Sequence, residues 1–199
     1  MMRKPREVVF VAALSLAVLC SPAPAQNMSL ELGASLSALE AGIQVDYPRE
    51  QGTLSLGGAA TYEEDSHFMF SSRLTLGNTK PLAGLRSDMG FRLLWGKSEE
   101  EQGDARFGAL CFLLTADYTA PVKLLEMPVF ARVEASVAPM PLCFAEAEQF
   151  FSLEADIGLR LLNSGGVFLG YRHMGVVFED DDHGELSKND ILLGYRLSF

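Results

Sequence analysis

Few side chains in this sequence could carry chemistry, and their spacing limits what that chemistry could be. A histidine can activate a serine as a nucleophile, but beside His173 position 175 is Gly175 and the nucleophile is missing. His67 and His183 fall in loops and assemble no second triad. Asp180, Asp181 and Asp182, within the run Glu179–Glu185, offer the hard oxygen ligands that Ca²⁺ or Mg²⁺ takes. They lack the alternating spacing of an EF-hand loop and its glutamate at the twelfth position. The choice there is between a solvated loop and a surface that shares divalent cations with lipid phosphates. Cys111 and Cys143 can pair in an oxidising compartment and tie an apolar loop into the mouth of the fold. No Gly-rich phosphate loop, Cys/His cluster or basic stripe is present, so nucleotide, zinc and nucleic-acid roles lack support. The expectation is no enzyme, no catalytic residue and no cofactor.

The elements that must position these residues are strands, and the last one is the clearest. In Asp190–Phe199 the side chains of Ile191, Leu193, Tyr195, Leu197 and Phe199 point one way; Asp190, Gly194, Arg196 and Ser198 point the other. Gly194, Tyr195 and Leu197 leading to a closing Phe199 resemble the terminal strand of bacterial outer-membrane barrels. In those proteins that strand is the signal read by the barrel-assembly machinery. The expected fold is all-β, an antiparallel up-and-down transmembrane β-barrel of about ten strands, with eight as the alternative.

The amino-terminal segment fits export. Arg3, Lys4 and Arg6 form a basic stretch, Val8–Cys20 an apolar one, and Ala23-Pro24-Ala25 a small-x-small site that places cleavage between Ala25 and Gln26. As a helix the apolar stretch spans roughly 20 Å, short of the ~30 Å hydrocarbon core, so residues 1–25 read as a removed signal and 26–199 as one barrel domain. Leu19 is bulky where a lipoprotein signal needs a small residue. The exported chain keeps 13 Lys+Arg against 25 Asp+Glu, a net charge of −12. Such a surface repels nucleic acid and attracts divalent cations.

Period-two alternation recurs near residues 30–36, 39–47, 54–62, 68–76, 85–95, 106–118, 129–137, 151–161, 167–177 and 190–199. The sixth is the least clean, because Cys111 and Leu113 are not polar. Pro48, Pro81, Pro121, Pro128, Pro139 and Pro141 all fall between these runs, where no ladder needs their missing N–H. The acidic clusters fall in the odd-numbered connections, on one rim; the even-numbered ones are short Pro/Gly/Asn turns.

Opposite the apolar residues stand Glu31, Asp46, Arg73, Arg86, Asp88, Arg92, Arg132, Glu134, Glu154, Asp156, Arg160, Arg172 and Arg196. A soluble barrel, such as a lipocalin-like carrier, points charges like these to water. A membrane barrel must turn them inward, because a charge facing the bilayer midplane costs roughly 2–4 kcal/mol. The signal, the even count and the terminal Phe199 favour the membrane. With about ten strands the interior is narrow, and a plugged lumen holding paired charges is expected. Tyr47, Tyr62, Phe68, Trp95, Tyr118, Phe151, Phe178 and Phe199 lie at strand ends, as interfacial girdles do.

At Val167-Phe-Leu-Gly-Tyr-Arg172 and Leu193-Gly-Tyr-Arg-Leu-Ser-Phe199 the chain resembles the YfaZ family of outer-membrane proteins, in which two such strands flank an acidic loop. The resemblance implies a barrel in the outer membrane of a Gram-negative bacterium, exported through the periplasm, and carries no catalytic residues with it. The implied partners are outer-membrane lipid and lipopolysaccharide, the assembly machinery during biogenesis, and divalent cations. A structural, adhesive or envelope-integrity role is the first expectation. A narrow channel for a small solute is the second, and a lipid-modifying envelope enzyme, akin in size to the lipid A deacylases, is the third.

Overall fold

The computed structural model describes residues 27–63, 67–100, 103–162, 164–178 and 185–199. The expected signal, with its Ala25–Gln26 cleavage site, lies outside these residues, as do Asp180–Asp182 and His183. Ten long antiparallel strands run up and down: β1 (Asn27–Ala34), β2 (Ala38–Arg49), β3 (Gly52–Glu63), β4 (His67–Leu82), β5 (Leu85–Glu100), β6 (Gly103–Leu124), β7 (Met127–Ala138), β9 (Ala147–Leu162), β10 (Gly165–Phe178) and β11 (Glu185–Ser198). Between β7 and β9 come a 3-10 turn (Met140–Leu142) and a short strand, β8 (Cys143–Ala145). Each long strand pairs with its neighbours in sequence, and β1 closes on β11. The sheet is a closed barrel of ten strands.

The register gives the barrel its shape. From Ala34 the paired residues run through Leu39, Tyr62, Phe68 and Lys97 to Arg106. The other way round they run through Leu193, Leu169, Ile157 and Ala131 to Tyr118, twelve residues from Arg106. A stagger of that size over ten strands requires the strong tilt, roughly 35–45°, that closed barrels adopt. It also leaves the rim uneven. β1 ends at Ala34 opposite Leu193, while β11 continues back to Glu185, so its upper half has no partner on that side.

Alternation then sorts the side chains into two populations. Leu193 and Ile157, 66% and 58% exposed, stand on the outer wall with Leu56, Leu74, Phe91, Leu114 and Leu169. Asp88, Thr115, Glu134, Ser136, Ser152 and Arg172 are buried in the interior. The sheet is inside-out relative to that of a water-soluble barrel.

Four of the six prolines expected between strands lie within strand bounds: Pro48, Pro81, Pro121 and Pro128. The strands overrun the barrel into their hairpins. Pro81 sits where the β4–β5 register shifts between Thr79 and Leu82, and Pro121 where β6–β7 shifts between Thr119 and Lys123. Pro48 and Pro128 lie next to strand ends. These are the positions where a ladder tolerates proline.

The interior is filled in two tiers. Toward the rim of the odd-numbered connections lies an apolar tier built of Leu94, Phe107, Ala109, Cys111, Phe150, Met174, Val176, Phe178 and Leu186, with Leu142 and Cys143 packed against it. Phe178, expected in an outer girdle, belongs here at 6% exposure. It shares the parity of Arg172, so it points inward, and its ring meets Phe107 edge-on at 6.4 Å. β8 takes over on β6 where β7 stops: Val137 is opposite Phe112, and Cys143 is opposite Ala109. Outside, the Phe144 ring covers Gly108 and stacks on Trp95 at 6.0 Å, an aromatic ring standing over a strand glycine.

Candidate functional site

Below the apolar tier the inward charges form two clusters of contacts, the larger one a continuous chain. Arg86 donates to Asp46 (2.9 Å) and to Ser55 (2.9 Å) and pairs with Asp88 (2.8 Å). Gln44 donates to Asp46 at 2.7 Å and accepts from Arg73 at 2.6 Å. Arg73 reaches on to Glu134 at 2.9 Å, and Arg132 meets the same carboxylate at 2.8 Å. Arg92 is a third cation on Glu134. Arg132 also pairs with Glu31, which accepts from Arg196 at 2.9 Å, and Arg196 reaches Asp156 at 3.4 Å. A second cluster joins Glu154 to Arg172 (2.6 Å) and Arg172 to Glu40.

The six arginines come from five strands, β5 supplying both Arg86 and Arg92, and alternation aims each of them inward within reach of a carboxylate. Buried charges are costly unless paired and hydrogen-bonded, and here nearly every one is. Among the described residues Arg92 Nε and Arg132 Nε have no hydrogen-bond partner. They border a lumen cavity of ≈ 40 Å³ that also touches Glu31, Glu40 and Arg172, room for a few water molecules. The lumen is thus closed by its own side chains, as a narrow interior was expected to be. The plug is half apolar, and that half was not expected.

Of the thirteen charges read onto one face, twelve enter these two clusters. Arg160 is the exception; it is exposed at the mouth beside the short turns.

Cys111 and Cys143 are both free thiols, and the pairing considered for them is not made in this structure. Cys111 is buried within the apolar tier, while the Cys143 thiol turns away to the Ala138 carbonyl at 3.5 Å. Burial pushes the Cys143 thiol pKa up, against a lowering contribution from the Phe150 backbone.

His173 is on the outer wall. Its Nδ1 lies 3.0 Å from Asn189 Oδ1, which also accepts from the Tyr171 hydroxyl at 2.6 Å. Phe151 packs beside the imidazole at 6.0 Å. The Tyr171–Asn189 partnership was missed in the sequence because Asn189 belongs to a run that reads as loop.

The terminal-strand residues close the barrel. Gly194 faces inward, and the Phe168 ring lies against it. The Tyr195 hydroxyl covers Gly165. Phe199 N donates to Met28 O (2.7 Å), and Met28 N donates back (3.2 Å). Among the described residues no group of three or more His, Cys, Asp or Glu side chains is arranged to hold a metal ion.

No family model matches the chain, and no curated protein matches it. Solved structures similar to it include a NanC porin, at 10% identity over 87% of this chain and 99% of that one, with a TM-score of 0.44. A bacterial polysaccharide outer-membrane secretin is similar at 11% identity over 87% of this chain and 64% of that one, TM-score 0.44. The β domain of the Bordetella autotransporter BrkA is similar at 10% identity over 87% and 98% of the two chains, TM-score 0.36.

Proposed function

We propose that the protein spans the outer membrane of a Gram-negative bacterium as a small closed barrel, with a structural, adhesive or envelope-integrity role and no catalysis. The observation that carries this reading is the inversion of the sheet. Leu74, Leu193 and Ile157 cover the outside, while Glu134 and Arg172 are buried within. In water such an outer wall is a large exposed apolar surface; in a bilayer it is the only arrangement that keeps charge off the hydrocarbon. The wall then contacts lipid and lipopolysaccharide, and the Gly194–Phe199 strand serves as the signal to the assembly machinery. Kinship with the YfaZ family draws support from its two motif strands lying side by side, Val167 opposite Tyr195.

The test is fractionation. The exported protein should sediment with outer membranes and run faster on gels when unboiled. Recovery in the soluble periplasmic fraction would end the reading. The two-tier filling favours a silent barrel over the channel alternative, so planar bilayers should show no stable conductance steps.

A further inference from the structure

The mouth beside the short turns holds a cavity of ≈ 290 Å³, close to the small end of ligand pockets, which run roughly 300–1,000 Å³. Arg160, Asp117 and Phe130 line it, with Arg196, Ser164 and Ser198. Arg73, Arg86, Arg92, Arg132, Arg172 and Arg196 each have a carboxylate within 4 Å. Among the described residues Arg160 has no such partner. It pairs in register with Gly166, which pairs in turn with Arg196. Gly166 lets the Phe130 ring pack directly on the wall there, because a Cβ would crowd the Leu159 carbonyl and that ring. Arg196 is already spent on Glu31 and Asp156, and its guanidinium lies 5.6 Å from the Phe130 ring centre.

Asp117 is the complementary group. Its side chain is 42% exposed, and its contact with Arg132 Nε is long, 3.9 Å. The terminal nitrogens of Arg132 are committed to Glu31 and Glu134. One pocket therefore presents an uncommitted guanidinium on β9 and a loosely held carboxylate on β6, with an aromatic ring and two hydroxyls in the same lining.

We propose that this pocket binds a small zwitterion, a solute carrying a carboxylate and an ammonium group. The carboxylate docks on Arg160, whose planar fork suits it, and the serine hydroxyls complete its hydrogen bonds. The ammonium sits against Asp117, and the apolar part of the solute covers Phe130. A simple anion gains Arg160 but faces Asp117, so the mixed walls select against it. The site depends on the barrel alone and not on the bilayer.

The test is calorimetric titration of the folded, detergent-solubilised protein with the dipeptide alanyl-alanine, with inorganic phosphate and putrescine as probes of a single charge sign. The dipeptide should bind more tightly than either. Arg160→Gln and Asp117→Asn should each weaken its binding about tenfold, the loss of one charge-assisted contact. Both side chains reach solvent, and the unboiled-gel shift of each variant verifies that it has folded. Phosphate binding as tightly as the dipeptide, or either variant leaving dipeptide affinity unchanged, would overturn the proposal.

Discussion

Lys188 Nζ lies 2.5 Å from Glu63 Oε2, joining β11 to β3 although β1 and β2 stand between them in the sheet. The bridge crosses above the β1–β2 turn, where the wall is lowest and the edge of β11 beyond Leu193 is unpaired. An open edge is a weak point in any sheet, and a side-chain strap is one way to close it.

Lys188→Met should loosen this corner without unfolding the barrel. The ion pair is partly solvated, so its loss should cost no more than about 1 kcal/mol. Amide exchange should quicken at residues 38–40 and 60–63 and stay unchanged in β7 and β9. Uniform exchange across the barrel would show that the strap holds nothing.

Glu134 is the opposite case. Only 2% exposed, it receives Arg73, Arg92 and Arg132 together. Glu134→Ala leaves three guanidiniums facing one another in the lumen, and breaking a buried ion pair costs about 3–5 kcal/mol. The variant should lose most of its unboiled-gel shift. Glu134→Gln keeps the shape and two acceptor lone pairs and should fall between it and the wild type. Equal stability of the three proteins would mean that the network does not hold the barrel together.

The thiols give a third prediction. A raised pKa leaves less thiolate at any given pH, and the thiolate is the species that alkylates. Cys143 in the folded protein should therefore react more slowly at pH 8 than a small-molecule thiol, with the rate still climbing above pH 9. Cys111, buried, should not react until the barrel is unfolded, after which two thiols should be counted without reductant. Only then would a count of none restore the disulfide.

Much of this fold is legible in the sequence because one period governs it. Ten alternating runs separated by turn residues become ten strands, and the charges opposite Leu74 and Ile157 become the lumen network. The limits are equally physical. β6 reads poorly because Phe107, Ala109 and Cys111 point inward into an apolar tier and Leu113 is buried as well, which removes the polar half of the contrast. Following the parity of Arg172 through Met174, Val176 and Phe178 would have located that tier. An aromatic near a strand end suggests an outer girdle only when its parity is outward, as for Trp95 and Phe151, and Phe178 fails that condition. Pairing across the barrel leaves no mark in local sequence. Nothing near Lys188 points to Glu63, and nothing near Arg160 shows that, among the described residues, it stands without a carboxylate.

The membrane reading has its sharpest test on the outer wall. Leu74 is 44% exposed and sits midway along β4, opposite Leu56 and Phe91. In a bilayer, Leu74→Arg places a guanidinium near the hydrocarbon midplane and should cost roughly 2–4 kcal/mol, measurable by folding into liposomes across a denaturant series. Leu125 offers the control. It lies in the β6–β7 turn, is 79% exposed, and has a left-handed backbone (φ 53°). Leu125→Arg introduces the same charge beyond the apolar band and should be close to neutral. A water-soluble barrel would make the two substitutions alike, because both positions would then face the same solvent.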